Sequence, residues 1–73
     1  MAINQLLNNF GARIRELRKD AGISQEKLAE LAELHRTYVS SVERGKRNAS
    51  LTSIERIAKA LNVSLSRLFE GVS

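Results

Sequence analysis

The sequence predicts an all-α chain of five short helices, and three observations carry that prediction. Apolar residues make up 42% of the chain but aromatic ones only 4%, so the core must be built from Leu, Ile, Val and Ala, a supply that suits helices better than a β-sandwich. The 73 residues include no proline, and no stretch rich in Gly and Ser marks a linker, so residues 1–73 read as one domain. Apolar residues recur at spacings of three and four, with serines standing where helices would begin.

Ile3, Leu6, Leu7, Phe10, Ile14 and Leu17 mark one face of a first amphipathic helix that ends near Gly22. Gly11 interrupts that helix at a cost of about 1 kcal/mol relative to Ala, either to permit close packing or without consequence. Ser24 offers an N-cap oxygen, and Ile23 is placed to meet Leu28 as a hydrophobic staple, starting a second helix that reaches Leu31 or Ala32. Leu34 and Val39 bear the same relation across His35, which puts His35 at the N-cap of a third helix; that helix stops at Gly45, a residue that takes the left-handed conformation readily. The loop Lys46 to Ala49 leads to Ser50, the cap of a fourth helix with Leu51, Ile54, Ile57, Ala58 and Leu61 along its apolar stripe. Ser64 caps a short fifth helix, with Val63 opposite Leu68. Phe10, Leu17, Val39, Ile54, Ile57, Leu61 and Phe69 are the expected core.

Composition excludes several functions. The absence of cysteine rules out disulfides and thiolate metal sites. With one histidine, no Gly-rich phosphate loop and no pair of carboxylates on an apolar face, no catalytic residue, metal-ligand set or cofactor is expected. Nothing resembles a signal-peptide core or an apolar run of about 20 residues, so a cytoplasmic chain with no membrane partner is expected. A core of this size supplies roughly 3–5 kcal/mol, and the remaining staple is a second copy, so a homodimer is expected.

The formal charge of +4 is uneven along the chain: +2 over Met1–Gly22, −2 over Ile23–Leu34, +3 over His35–Ser50 and +1 over Leu51–Ser73. On a helical projection Arg36, Thr37, Ser40, Ser41 and Arg44 share one side of the third helix, His35, Tyr38, Val39 and Val42 lie on the other, and Glu43 falls near the edge between them. The first side carries arginine at both ends and small hydroxyls between, which lets a surface approach closely. The major groove of duplex DNA admits a helix, arginine makes bidentate contacts to guanine, and hydroxyls pair with bases or phosphates. Lys46, Arg47 and Asn48 follow at once and suit the bordering phosphates. Two short helices joined by three or four residues give the helix-turn-helix outline, in which the second helix reads the groove. On composition alone a merely solvated face stands as the rival reading.

Gln25, Leu28, Ala29, Ala32, Leu34, Val39, Ser40, Glu43 and Gly45 resemble the pattern of lambda-repressor and Cro-like helix-turn-helix domains, over Phe10 to about Phe69. The run from Leu34 to Ser40, continuing through Val42-Glu43-Arg44-Gly45 to Arg47-Asn48, is similar more narrowly to the controller proteins of restriction–modification systems. The resemblance implies a five-helix lambda-repressor-like DNA-binding domain with its helix-turn-helix at about 24–44 and dimerising helices at about 51–70. It also implies a homodimeric transcription regulator of bacterial or phage origin, associated with the nucleoid, acting at a pseudo-palindromic operator of its own and the endonuclease promoter. Double-stranded DNA is the implied partner and RNA polymerase a further candidate, with no small-molecule effector.

Residue by residue, Arg36, Thr37, Ser40 and Ser41 stand where the family reads base edges, and Gln25 where it meets a phosphate with help from helix N-terminal amides. Tyr38 lies at the groove wall, touching a phosphate or packing. Arg18 pairs with Glu43 as a brace and also faces the backbone, as do Arg44, Lys46, Arg47 and Asn48. Leu65, Leu68, Phe69 and Val72 are shared between core and dimer interface without a division between them. Glu33 departs from the family's small turn residue: it takes the left-handed conformation at about 1–2 kcal/mol, or the second helix runs longer. His35 is expected as a cap or a packed side chain. The other readings are a phage-type repressor, an antitoxin-like interaction module for which the arginine face has no use, and a sequence-neutral DNA-packaging protein.

Overall fold

The computed structural model describes residues 3–73, and the expected apolar contact of Ile3 lies outside what it describes. Five helices follow in order: α1 (Ile3–Asp20), α2 (Gln25–Ala32), α3 (Arg36–Glu43), α4 (Leu51–Leu61) and α5 (Leu65–Leu68), with no strand among the described residues.

Local chemistry sets the boundaries. The hydroxyls of Ser24, Ser50 and Ser64 accept from the backbone N–H of Lys27, Ser53 and Arg67 at 3.0–3.1 Å, each satisfying a donor that the helix itself leaves free. His35 holds the same extended N-cap conformation before α3 but makes no capping bond with its side chain, which is exposed rather than packed. Four helices end alike. Gly22, Glu33, Gly45 and Asn62 all have φ between 59° and 73°, and each is followed by a residue whose N–H reaches back to the last turn, as Leu34 does to the Ala29 carbonyl at 2.9 Å. Of the two possibilities at Glu33, the left-handed conformation is therefore the one adopted.

α1 packs against α3 and α5, and α2 against α3 and α4. The core joins Phe10, Ile14 and Leu17 of α1 with Leu28, Ala29 and Ala32 of α2, Val39 and Val42 of α3, Ile57, Ala58 and Leu61 of α4 and Leu68 of α5. Several expectations need correction. Leu6 and Leu51 belong to apolar stripes by spacing, yet both are exposed, because each sits at the outer end of its helix beyond the packed turns. Ile54 is half-buried, and Phe69 is exposed along one edge while its ring stacks on Phe10 at 5.1 Å.

Candidate nucleic-acid interface

The position of α3 is set by its last residue. Glu43, expected at the edge between the two faces, is buried at 2% exposure, and a carboxylate can stay there because three donors surround it. Arg18 Nε donates to Oε2 at 2.6 Å and Nη2 to Oε1 at 3.0 Å, while Gln25 Nε2 donates to Oε1 at 3.0 Å. The remaining Arg18 nitrogen donates to the Ile23 carbonyl at 3.0 Å, so one guanidinium ties α1 to the start of the helix-turn-helix and to the end of α3. The hydrogen bonds to Glu43 raise the Arg18 pKa, burial opposes this, and the adjacent negative charge adds to the rise.

Two further contacts complete the attachment. Arg15 Nη2 donates to the Glu43 carbonyl at 3.0 Å, serving a C-terminal acceptor of α3. A Cβ on Gly11 would stand 2.3 Å from the Val42 oxygen and 2.6 Å from that of Glu43, so glycine is what lets α1 meet the end of α3 backbone to backbone. Of the two possibilities at Gly11, close packing is the one adopted, and Gly11, Arg15 and Arg18 follow one another along α1 at spacings of four and three.

The opposite side of α3 is left free. Arg36, Thr37 and Arg44 are exposed, Ser40 and Ser41 are half-buried, and none of the side chains of Arg36, Thr37, Ser40 or Ser41 hydrogen-bonds another described residue. The adjoining loop presents Lys46, Arg47 and Asn48 to solvent. Arg47 lies over the Tyr38 ring at 5.0 Å, and the Tyr38 hydroxyl accepts from the Ser50 N–H at 3.4 Å, so the ring is a half-buried prop for the loop. Gln25, the first residue of α2, is half-buried too, and its side-chain amide donates to Glu43. Exposed acids lie elsewhere, at Glu26 and Glu30 of α2 and at Glu33 just after it.

A second surface divides the C-terminal apolar residues that the sequence left undivided. Leu68 is fully buried within the chain and Val72 is half-buried against the core, which removes Leu68 from any intermolecular contact. Leu65 and Phe69 are exposed at 49% and 42%, and Leu6 and Leu51 are exposed apolar residues as well. Leu6, Ile54 and Phe69 border an apolar hollow of about 120 Å³, and Leu51 and Leu65 line a second, more open one. Among the described residues no group of His, Asp and Glu is placed to hold a metal ion, and no helix is long and apolar enough to cross a membrane.

A helix-turn-helix family model matches residues 14–68. The chain is 42% identical over 71 residues to the control protein C.MunI of a Mycoplasma species, covering 96% of each. It superposes on the crystal structure of the restriction–modification controller protein C.AhdI from Aeromonas hydrophila with a TM-score of 0.85 and 52% identity, covering 86% of this chain and 96% of that one. A further similar structure is the controller protein C.Esp1396I, solved as a tetramer in complex with its natural 35 base-pair operator, at 40% identity, a TM-score of 0.84, and coverage of 92% and 88%.

Proposed function

The chain belongs to the helix-turn-helix family of restriction–modification control proteins, and on that premise we propose that it is a sequence-specific transcription regulator binding a pseudo-palindromic DNA operator as a homodimer. It is a regulator and not an enzyme. The observation that carries the proposal is the contrast within α3, whose carboxylate is consumed by internal bonds while the side chains of Arg36, Thr37, Ser40 and Ser41 hydrogen-bond no other described residue. Arg36, Thr37, Ser40 and Ser41 are assigned to base edges, and Arg44, Lys46, Arg47, Asn48 and Gln25 to phosphates. Arg18 is assigned chiefly to the brace, with Tyr38 supporting the loop.

The whole chain acts as one DNA-binding unit, with residues 24–44 reading and the helices of 51–70 supplying the dimer contact. Leu65 and Phe69, extended by Leu6 and Leu51, form that contact against a second copy; these residues are apolar and exposed on a domain whose core is small. Two-fold symmetry then sets half-sites about one helical turn, ~10–10.5 bp, apart. The similarity to a controller solved as a tetramer on a 35 base-pair operator supports two dimers side by side on a longer site. The target is the protein's own promoter together with that of the endonuclease, on the nucleoid, with RNA polymerase as a further candidate partner.

The test is selection of tight-binding duplexes from a random pool near physiological salt, followed by salt titration of the winner against scrambled DNA. A two-fold symmetric winner bound about 10³-fold or more tighter than scrambled sequence is the expected result. Equal, steeply salt-dependent binding to every duplex would replace this reading with an architectural role, and no binding would replace it with a protein partner.

A further inference from the structure

α1 holds two helices with two different faces. Gly11, Arg15 and Arg18 meet the end of α3, whereas Asn9, Phe10 and Arg13 meet α5 and the residues that follow it. Arg13 stands out among the arginines because its side chain is only 14% exposed although none of the proposed DNA contacts uses it. It directs two donors at a single acceptor: Nη2 reaches the Arg67 carbonyl at 2.8 Å and Nε reaches the same oxygen at 3.3 Å. Glu16 accepts from Nη1 at 3.0 Å and Glu70 from Nη2 at 3.4 Å, so the guanidinium charge is balanced on both sides.

The helix that Arg13 holds has four residues, Leu65–Leu68. A single turn has no independent stability, so its direction is decided by what grips it. Ser64 caps its start, Leu68 sinks into the core, Phe69 stacks on Phe10, and Arg13 closes its C-terminal carbonyl end, where a cation is favoured. The exposed apolar residues of this turn are Leu65 and Phe69, which belong to the surface assigned above to the second copy.

We propose that Arg13 is a positioning residue that fixes the direction of the α5 turn and thereby the distance between the two recognition helices of the dimer. The proposal rests on the homodimer reading. It makes α1 a rigid gauge between the groove-reading helix and the self-association surface: Arg18 and Gly11 set one end, and Arg13 sets the other. Arg13 touches neither DNA nor, in this reading, the second copy, so its loss acts on spacing and leaves base preference alone. Lysine is a poor substitute, because an ammonium lacks the planar fork that puts two donors on one oxygen.

The experiment compares the full chain with Arg13→Gln and Arg13→Lys. Sedimentation equilibrium measures self-association, circular dichroism checks helicity, and binding is measured to the selected operator and to versions with one base pair added to or removed from its centre. The expected result is dimerisation weakened about tenfold in Arg13→Gln and less in Arg13→Lys, with operator binding falling in step. Discrimination among the three spacings flattens, and the ranking of base changes within a half-site stays as in the parent. If Arg13→Gln loses helicity, the decision passes to Arg13→Lys. A dimeric parent whose folded variants keep its dimerisation and spacing preference overturns the positioning role alone. A parent that binds DNA while monomeric overturns the homodimer reading, and this proposal with it.

Discussion

On its inner side α3 ends in a carboxylate that accepts from Arg18 and Gln25 at 2.6–3.0 Å, and its backbone touches Gly11 and Arg15; on its outer side the side chains of Arg36, Thr37, Ser40 and Ser41 hydrogen-bond nothing else among the described residues. The two sides therefore differ in where their bonding capacity goes. A group whose bonds are internal fixes where the helix lies, and a group whose bonds are left open is free to discriminate among ligands. The comparison teaches that orientation and reading are separable in this molecule, and substitutions on the two sides should fail in different assays.

The inner side should show the largest effect on folding. Glu43→Ala leaves the Arg18 guanidinium and the Gln25 amide facing a buried gap, and removing one partner of such a bridge costs about 3–5 kcal/mol. Urea unfolding should show the midpoint falling by that equivalent, with Glu43→Gln losing less because the amide oxygen still accepts. The pH dependence has a definite sign. The folded-state pKa of Arg18 is raised, so its contribution is complete at any pH below the ordinary arginine value and is lost only as pH climbs through the raised one. The stability difference between the parent and Arg18→Met should accordingly stay flat between about pH 6 and 10, and a slope in that window would show that another group carries the brace.

Gly11→Ala should come next. Its methyl group meets backbone oxygens of Val42 and Glu43, which cannot swing aside as a flexible side chain would, so α1 and α3 must separate at roughly 1–3 kcal/mol. The same variant tilts the reading face, and operator affinity should fall further than the loss of folded protein explains. Binding measured on folded protein that matches the parent would mean that α3 is positioned by the Glu43 bridge alone.

The inner side was partly legible in the sequence. The Arg18–Glu43 pair followed from the resemblance, but Glu43 was placed at the edge of α3, because an acid among polar neighbours reads as solvated until its donors are located. Those donors come from α1 and α2, and a one-helix projection cannot see them. Helix limits were far more legible, since Ser24, Ser50 and Ser64 act through the next turn of their own chain. Leu6, Leu51 and Leu68 fall between these cases: periodicity marks a residue as apolar but does not tell which end of a stripe another helix covers. Leu68 and Leu65 are three residues apart on the same turn, and one is core while the other is surface.

On the outer side the expected losses lie in recognition rather than stability. Arg36→Ala should unfold like the parent within about 0.5 kcal/mol, yet lose about 1–3 kcal/mol of discrimination at one base position. Arg47→Ala should weaken every duplex alike and reduce the salt slope by about one, since a phosphate contact carries no base information. Competition binding across single-base operator variants at several salt concentrations separates the two patterns. Equal, sequence-independent loss in both variants would remove the division between reading and positioning on this face.

The smallest effect belongs to the turn that joins α2 to α3. Glu33 and Asn62 end α2 and α4 with the same backbone conformation, φ 59° and ψ 44°, yet one is a residue that disfavours the left-handed region and the other tolerates it. Glu33 brings nothing from its side chain that offsets the strain, because its recorded bonds are made by its backbone: the N–H to the last turn of α2, and the carbonyl to Arg56 Nη1 at 3.4 Å. Glycine keeps both of these and removes the clash, while adding freedom to the unfolded chain, so Glu33→Gly should stabilise the fold by a net of about 0.5–1 kcal/mol. Glu33→Asn should gain less. Because the turn conformation is already the one glycine prefers, the angle between α2 and α3 should not move, and the base ranking of the operator should stay unchanged as the melting temperature rises. A stabilised variant with altered base ranking would mean that the strain at Glu33 itself helps to set the reading angle, and the separation of orientation from reading would fail at this one residue.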